Sequence, residues 1–291
     1  MKRLLIVVFL LCWTMPHAQV MITITSSAPA GGFTCPTGAD GVVVPTGYTA
    51  GNDAYILIDS APGVNRFLSS TDYTVGAWVR FSDSGTSTKT IVSQWGNDTA
   101  GPTKDKQFAL FIDQGEQAIV RQAWLESDQA EVQHLSTLSV DTWYFVVVTH
   151  DASEATEWSL WVYNSAGSEV GAEITGASNG DASQQIESVI GGAWTPDSDP
   201  VTAELDGEIA YMFYATGTNS VWTETEVANA ASSGTNFCSE MEDLNTDGVL
   251  EWFYPLDGKD CSDSSDNAAD CTFVEPGTPT ITAYGGSGPF G

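Results

Sequence analysis

Apolar and polar side chains alternate with a period of two along much of the chain between residues 55 and 214. Successive side chains of a β-strand point to opposite faces, so this pattern predicts strands that each have one face fit for a core. In the stretch 73–81, one face carries only apolar residues, namely Tyr73, Val75, Ala77, Val79 and Phe81. Because helical periodicity is almost absent from the same region, the pattern predicts an all-β chain.

Further strands are predicted at 90–95, 108–112, 118–124, 143–149, 157–162, 186–190 and 207–214. The run 143–149 is nearly all apolar, which is typical of a central strand covered on both faces. Only Val221–Ala231 has a helical pattern, with Thr223 as N-cap and Glu226 as its capping-box partner. The sequence therefore predicts one short surface helix beside the strands.

The first residues have the features of a secretion signal: Lys2 and Arg3, an apolar run to Trp13, and the small residue Ala18. No later stretch approaches the roughly 20 apolar residues of a membrane span, so we expect a secreted or cell-surface protein. We divide the chain into a signal peptide at 1–19, edge strands or an extension outside the core at 20–52, the sandwich at 53–275 and a Gly/Pro-rich tail at 276–291.

The chain is strongly acidic. Its formal net charge is −29, from 9 Lys and Arg residues against 38 Asp and Glu residues. Such a field repels nucleic acid and anionic lipid, so we expect neither as a partner. The charge alone favours solubility in salty water as its explanation, and acidic loops that bind calcium stay open as the alternative.

The cysteines indicate disulfides. The chain has five, and we expect Cys12 to leave with the signal peptide. An even number in an exported chain favours disulfide bonds. Three pairings are open, of which we favour a short loop closed by Cys261–Cys271 and a bond between the two ends of the sandwich, Cys35–Cys238.

Six blocks in order carry a family resemblance: Tyr73–Val79, Ile91–Trp95, Phe108–Ile112, Thr142–Thr149, Ser159–Tyr163 and Leu205–Ile209. Together they resemble the laminin G-like and pentraxin branch of the concanavalin A-like lectin and glucanase superfamily, over about residues 53–231. The resemblance implies an antiparallel jelly-roll β-sandwich whose curved face or loop rim binds sugars, proteins or calcium. The stretch 248–272 is interpreted as the closing part of the same unit, with a truncated second module as the alternative.

Three tryptophans are candidates for ligand contact. Trp95, Trp124 and Trp194 stand at predicted strand ends beside polar loops, where an indole ring can stack on a sugar. Nearby side chains that can bond to sugar hydroxyls are Asn97, Asp98, Gln122 and Asp197. In contrast, Trp78, Trp143 and Trp158 lie within predicted strands and are expected in the core.

A calcium site is predicted from the segment 243–248. Asp243, Asn245, Asp247 and Gly248 occupy positions 1, 3, 5 and 6 of a calcium-binding loop. Position 12 is Tyr254 rather than the bidentate glutamate, which excludes a full EF-hand. The alternative for this segment is an Asx-rich surface turn.

The segment Glu126-Ser-Asp128-Gln-Ala-Glu131 has the carboxylate spacing of laminarinase-like hydrolases in this superfamily. Such chemistry needs a nucleophile and an acid on one strand face. The polar residues between the carboxylates fit a solvated acidic turn better, and no Gly-x-Ser-x-Gly motif is present. We therefore assign no catalytic residue.

The favoured function is a non-enzymatic module that recognises an extracellular glycan or a surface protein, assisted by calcium. Two alternatives remain. The chain is a structural subunit of a cell-surface layer, filament or virion that self-associates through 20–50 and 276–291, or it is a glycoside hydrolase that uses Glu126 and Glu131.

Overall fold

Two antiparallel β-sheets that face each other form the framework of the chain in this computed structural model. The structure describes residues 33, 35–39, 41–44, 55–58, 67–68, 70–82, 88–95, 106–125, 128–178, 189–191, 193–195, 198–202, 205–257, 260, 262–265, 271–274 and 282–291. The strands are β1 Val42–Val44, β2 Tyr55–Ile58, β3 Tyr73–Phe81, β4 Lys89–Trp95, β5 Lys106–Ile112, β6 Ala118–Leu125, β7 Asp128–Gln133, β8 Tyr144–His150, β9 Trp158–Asn164, β10 Ile174–Gly176, β11 Val189–Ile190, β12 Ala193–Thr195, β13 Ser198–Thr202, β14 Gly207–Thr216, β15 Leu250–Tyr254, β16 Cys271–Val274 and β17 Thr282–Ala283. The helices are α1 Glu224–Ser232 and α2 Gly234–Thr246.

The strands form two large sheets. The first has the order β10-β9-β8-β3-β14-β1-β17, and β15 also pairs with β14. The second has the order β16-β2-β11-β4-β5-β6-β7, and β12 pairs separately with β13. Buried side chains of both large sheets meet in one hydrophobic cluster. The all-β sandwich predicted from the sequence is therefore confirmed.

Strand β3 shows why both faces of the first sheet are buried. Its alternate residues from Tyr73 to Phe81 point into the core between the sheets. Trp78, on the opposite face, belongs to a second cluster with Phe145 and Trp161 of the neighbouring strands. Strand β8 is buried at every position because it is covered on both sides.

Two helices, rather than the one expected, contribute to this second cluster. Helix α1 begins after Thr223, whose side chain forms the predicted capping box with Glu226. Helix α2, which the sequence analysis missed, is capped by Ser233. Both helices contribute buried side chains to the cluster on the outer face of the first sheet, so the framework has a third layer. Within the described residues, no helix is long and apolar enough to cross a bilayer.

The chain's terminal segments also join the first sheet. Val42 of β1 pairs with Ile209 of β14 on one side and with Ala283 of β17 on the other. The hydroxyl of Tyr211 accepts a hydrogen bond from the Ala39 amide at 2.7 Å. For the described residues, the edge strands expected in these segments are present, since β17 ends the first sheet and β1 lies beside it. Val42 belongs to the core, so the alternative of an extension outside the core does not hold for β1.

A disulfide bond fixes the N-terminal segment to α2. It joins Cys35 and Cys238, whose Cα atoms are 5.5 Å apart. This is one of the two pairings favoured from the sequence. Cys271 is also disulfide-bonded, whereas Cys261 lies outside the described residues, so the second pairing stays a prediction.

We expect His134 to make the stability of the protein pH-dependent. Its side chain is buried, and burial lowers the pKa of the imidazole below 6.5. The unfolded chain therefore takes up the proton at a higher pH than the folded protein does, so stability is full above about pH 6.5 and is lost as the pH falls below it, by up to about 1.4 kcal/mol per pH unit. Urea unfolding of the wild type and His134→Gln at several pH values measures this. Equal pH slopes for both proteins would contradict the prediction.

Candidate functional site

The predicted ligand-binding residues Trp95 and Trp124 lie at one end of the second sheet. Trp95 ends β4 and pairs with Lys106, the first residue of β5. On the other side of β5, Arg121 of β6 pairs with Ala109, so the antiparallel β6 reaches Trp124 beside the start of β5. Two strand spacings separate the backbones of Trp95 and Trp124, which is about 10 Å. We call this end of the sheet, defined by residues 95, 106 and 124, the Trp95 rim.

Gln122 lies below the Trp95 rim and does not face solvent. Gln122 is an even number of residues from Ala118 and Val120, so it lies on the same face of β6, and these two residues point into the core. Its side chain is only 2% exposed, and its Nε2 donates to the Phe67 carbonyl oxygen at 3.2 Å. The burial and bonding of this amide do not support the predicted ligand contact of Gln122. The alternation that turns Gln122 inward does not carry over to Trp124, because the register shifts between Ala123 and Leu125.

Packed aromatic rings support the rim from below. Phe67 stacks on Phe108 of β5 with ring centroids 4.0 Å apart. It also contacts Tyr73 and Tyr214 of the first sheet, at 5.6 Å and 5.0 Å. The start of β3 and the end of β14 therefore lie at the same end of the sandwich as the Trp95 rim. Dense packing of this kind keeps the strand ends in fixed positions.

A buried histidine links the loops at this end. The ring of His150 stacks on Tyr73 at 4.7 Å, and its Nδ1 lies 2.8 Å from the Thr71 carbonyl oxygen. Because a carbonyl oxygen can only accept, Nδ1 carries the proton. The other ring nitrogen, Nε2, faces the Glu157 carboxylate at 3.6 Å. The loop before β3 is thus fastened to the end of β8.

Carboxylates at the same end are already engaged by the protein. Asp72 accepts a hydrogen bond from the Ala152 amide at 3.0 Å. Asp151 accepts from the side chain and the backbone of Ser153, and these two bonds lower the pKa of the Asp151 carboxyl. Glu157 accepts from the backbone and the hydroxyl of Ser178. These carboxylates hold turns in place, and no group of three His, Cys, Asp or Glu side chains in the described part of the chain could hold a metal ion.

Trp194 lies at the other end of the second sheet. In β11, Ile190 pairs with Val92 of β4, and the Gly191 amide donates to the Ile91 carbonyl oxygen. Because β11 is antiparallel to β4, the residues that follow Ile190 lead toward Trp194 along the part of β4 that begins at Lys89. Lys89 and Trp95 are six residues apart in a strand, or about 20 Å. One small ligand cannot contact both tryptophans. The remaining predicted residues of this group, Asn97, Asp98 and Asp197, lie outside the described residues.

The predicted calcium-binding segment is helical. Asp243 and Asn245 lie in the last turn of α2, and Asp247 is its C-cap. Alternate residues of a helix point in directions about 200° apart, so they do not converge as they do in a calcium loop. The expected loop conformation is therefore wrong. Calcium binding by these three residues has no support from this geometry and stays a prediction.

The carboxylates of the hydrolase alternative are only partly described. Glu131 of β7 accepts hydrogen bonds from Nε and Nη2 of Arg121, at 2.8 Å and 2.5 Å. Arg121 in turn lies over the ring of Phe111 at 4.9 Å. Glu131 is thus part of a cross-strand row on the outer face of the second sheet, whereas Glu126 lies outside the described residues.

Arg121 and Phe111 are not among the site residues predicted from the sequence. The alternation along β6 indicates their face of the sheet. Ile119 and Arg121 alternate with the core residues Ala118 and Val120, so they lie on the outer face. Ala109, Phe111 and Ile119 form a small apolar cluster on this outer face.

Comparisons with known proteins identify the class of the fold. Residues 50–211, more than half of the chain, match a family described as concanavalin A-like lectin/glucanases superfamily. No match was found among curated proteins.

Solved structures with a similar fold share few residues with this chain. A Bacteroides ovatus protein, described provisionally as carbohydrate binding, has 15% identity and a TM-score of 0.49, covering 87% of this chain and 62% of its own. A heptameric SAP-like pentraxin from Limulus polyphemus has 14% identity and a TM-score of 0.45, covering 68% of this chain and 84% of its own. The CBM40 module of a Ruminococcus gnavus sialidase has 14% identity and a TM-score of 0.44, covering 61% of this chain and 97% of its own. These likenesses concern the fold alone.

Proposed function

The chain belongs to the concanavalin A-like lectin/glucanase superfamily, and from this we propose that it is a binding module that recognises an extracellular glycan at the Trp95 rim. Members of one superfamily share a fold but not one activity, so the function has to be argued from the site. Binding is favoured over catalysis because Glu131, the described carboxylate of the hydrolase pattern, is paired with Arg121.

The observation that carries the proposal is the approach of Trp95 and Trp124 to the same strand end, on either side of Lys106. Aromatic side chains stack on the apolar faces of sugar rings, and the backbones that carry these two lie about 10 Å apart beside segments of polar sequence. The aromatic packing of Phe67 and Phe108 beneath the rim favours a preformed surface, which lowers the entropic cost of binding.

Calcium is not needed for this proposal. The described carboxylates at this end, Asp72, Asp151 and Glu157, each accept hydrogen bonds from neighbouring residues. They do not form a set of convergent oxygen ligands such as calcium requires. We therefore assign recognition to the aromatic side chains and to polar groups beside them.

An extracellular location is part of the proposal. The Cys35–Cys238 bond fits an oxidising compartment, since cytosolic proteins rarely keep disulfides. A glycan ligand outside the cell agrees with this location.

We expect Trp95→Ala and Trp124→Ala each to weaken glycan binding about tenfold or more, because each removes one stacking surface. A glycan array selects the best-bound oligosaccharide, and calorimetric titration with that oligosaccharide measures the change. Trp194→Ala is the matched control, because Trp194 lies at the other end of the second sheet. This variant should bind the oligosaccharide like the wild type. Near-UV circular dichroism confirms that each variant is folded.

Two results would refute the proposal: no array signal for the wild type, or unchanged affinity in a folded Trp95→Ala/Trp124→Ala double variant. Repeating the titration with a chelator tests the calcium prediction separately. A loss of affinity in the chelator, absent from an Asp243→Ala/Asp247→Ala variant, would support the predicted calcium-binding residues.

A further inference from the structure

A cleft of 540 Å³ opens on the helical side of the first sheet, away from the Trp95 rim. It is lined by Thr37, by the turn that follows β9, by the junction of α1 and α2, and by residues 287–291. Its volume lies within the range of small-molecule sites, which is about 300–1,000 Å³. We propose that this cleft is a second binding site, which takes one neutral sugar residue.

The walls of the cleft are fixed by contacts within the protein. Trp143 donates a hydrogen bond from Nε1 to the Ser287 carbonyl oxygen at 3.2 Å, and its ring meets Tyr284 edge-on at 5.9 Å. Phe290 packs edge-on against Trp78 and Tyr211, at 5.0 Å and 5.5 Å. The C-terminal segment is thus held on the sheet, and Trp143 and Phe290 give the lining aromatic rings of the kind that can stack on a sugar.

At two glycines, segments that line the cleft pack closely against each other: the turn after β9 against the end of α1, and the start of α2 against Thr37. Gly167 has a φ of 72°, and a Cβ at this position would lie 2.9 Å from the Ser232 Cα. Gly234 faces the Thr37 carbonyl oxygen so closely that a Cβ would overlap it. The disulfide between Cys35 and Cys238 holds Thr37 beside α2. The cleft is therefore built by the fold and does not depend on a ligand for its shape.

Hydroxyl groups dominate the polar lining. The hydroxyls of Ser232 and Ser233 are engaged with Asn229 and Asn236 at the helix junction. Those of Thr37, Ser165, Thr235 and Ser287 make no hydrogen bond within the described part of the chain, and all four residues are exposed. Hydroxyls both donate and accept, so they match the hydroxyl groups of a sugar.

The charge of the lining selects a neutral ligand. No lining side chain is charged, although the chain as a whole carries a net charge of −29. An anionic ligand would be repelled by this field and would find no basic side chain in the lining. An uncharged ring with several hydroxyls avoids this repulsion and matches the hydroxyl-rich lining. The inference does not rest on glycan binding at the Trp95 rim, since the two sites lie on different parts of the molecule.

The test is an NMR titration of isotope-labelled protein with the methyl glycosides of D-glucose, D-galactose and D-mannose. We expect saturable shifts of the amides of Thr235 and Ser287, unaffected by chelator. Ser165→Trp fills the cleft from an exposed turn and should weaken binding about tenfold or more. Ala166→Trp is the matched control, because Ala166 is exposed in the same turn but does not line the cleft.

The outcomes separate the two sites. Retained binding in the Trp95→Ala/Trp124→Ala variant, with loss in Ser165→Trp, supports the cleft whatever happens at the rim. The inference is overturned if none of the three glycosides gives saturable shifts, or if Ser165→Trp and Ala166→Trp bind with equal affinity.

Discussion

Replacing Phe237 of α2 by alanine is expected to lower the free energy of unfolding by about 3–5 kcal/mol, the usual loss for a buried phenylalanine. The ring is fully buried. It lies within 6.0 Å of four other rings, those of Tyr211, Phe145, Phe253 and Phe213. Removing it leaves a cavity between the helices and the outer face of the first sheet. Urea unfolding followed by tryptophan fluorescence measures the change.

Two controls sharpen this result. Phe237→Leu keeps most of the apolar volume and should cost clearly less than the alanine variant. Glu242→Ala changes an exposed residue of the same helix and should alter stability by no more than about 0.5 kcal/mol. If Phe237→Ala behaves like Glu242→Ala, α2 is not a packed layer of the fold.

Removing the Cys35–Cys238 bond is expected to cost about 2–5 kcal/mol of unfolding free energy. The two cysteines are 203 residues apart. The chain-entropy relation gives about 5 kcal/mol for so long a loop, which is the upper end of the usual range. Substitution is preferable to a reducing agent, because Cys271 is also disulfide-bonded and would be reduced as well.

The measurement compares Cys35→Ser, Cys238→Ser and the double variant in urea. All three should unfold at the same lowered midpoint, since either substitution breaks the whole bond. An unchanged midpoint in the double variant would show that the bond contributes nothing to stability. A further loss in the double variant would mean that the two positions contribute separately.

Strand periodicity made the framework predictable from the sequence. The alternation in β3 identified both faces of the strand, and the apolar run 143–149 identified a strand covered on both sides. The capping box of Thr223 and Glu226 located the start of α1. These features are local, because each depends on residues a few positions apart along the chain.

The candidate site was less predictable. The approach of Trp95 to Trp124, and the separation of both from Trp194, depend on strand register. Register has no local signature where strands far apart in sequence pair, as β11 does with β4, and between the consecutive strands β4 and β5 it shifts beside Trp95. Gln122 is a different case, since its parity with Val120 would have indicated an inward side chain.

Helix α2 also has a local sequence pattern that predicts a helix, although the segment 243–248 at its end resembles a calcium loop. Its buried residues Phe237, Met241 and Leu244 recur at helical spacing after the N-cap Ser233. The spacing of oxygen donors at 243–248 favours a calcium loop, whereas the apolar residues before it indicate the helix that the structure has.

The sequence alone establishes that this protein is built from β-strands. Apolar and polar side chains alternate along much of the chain, and a strand with this pattern buries its apolar face. Only the tertiary structure decided that the ends of the chain and a second helix cover the outer face of the first sheet. Only the tertiary structure, too, decided which strand ends meet at the Trp95 rim. The physical reason is that the chain ends and α2 are placed by contacts between residues more than a hundred positions apart, such as Val42 with Ile209 and Cys35 with Cys238. The rim depends on the register of β4, β5 and β6, which shifts at an irregularity beside Trp95. Those contacts are selected by the packing of the whole chain and not by the pattern of any one segment.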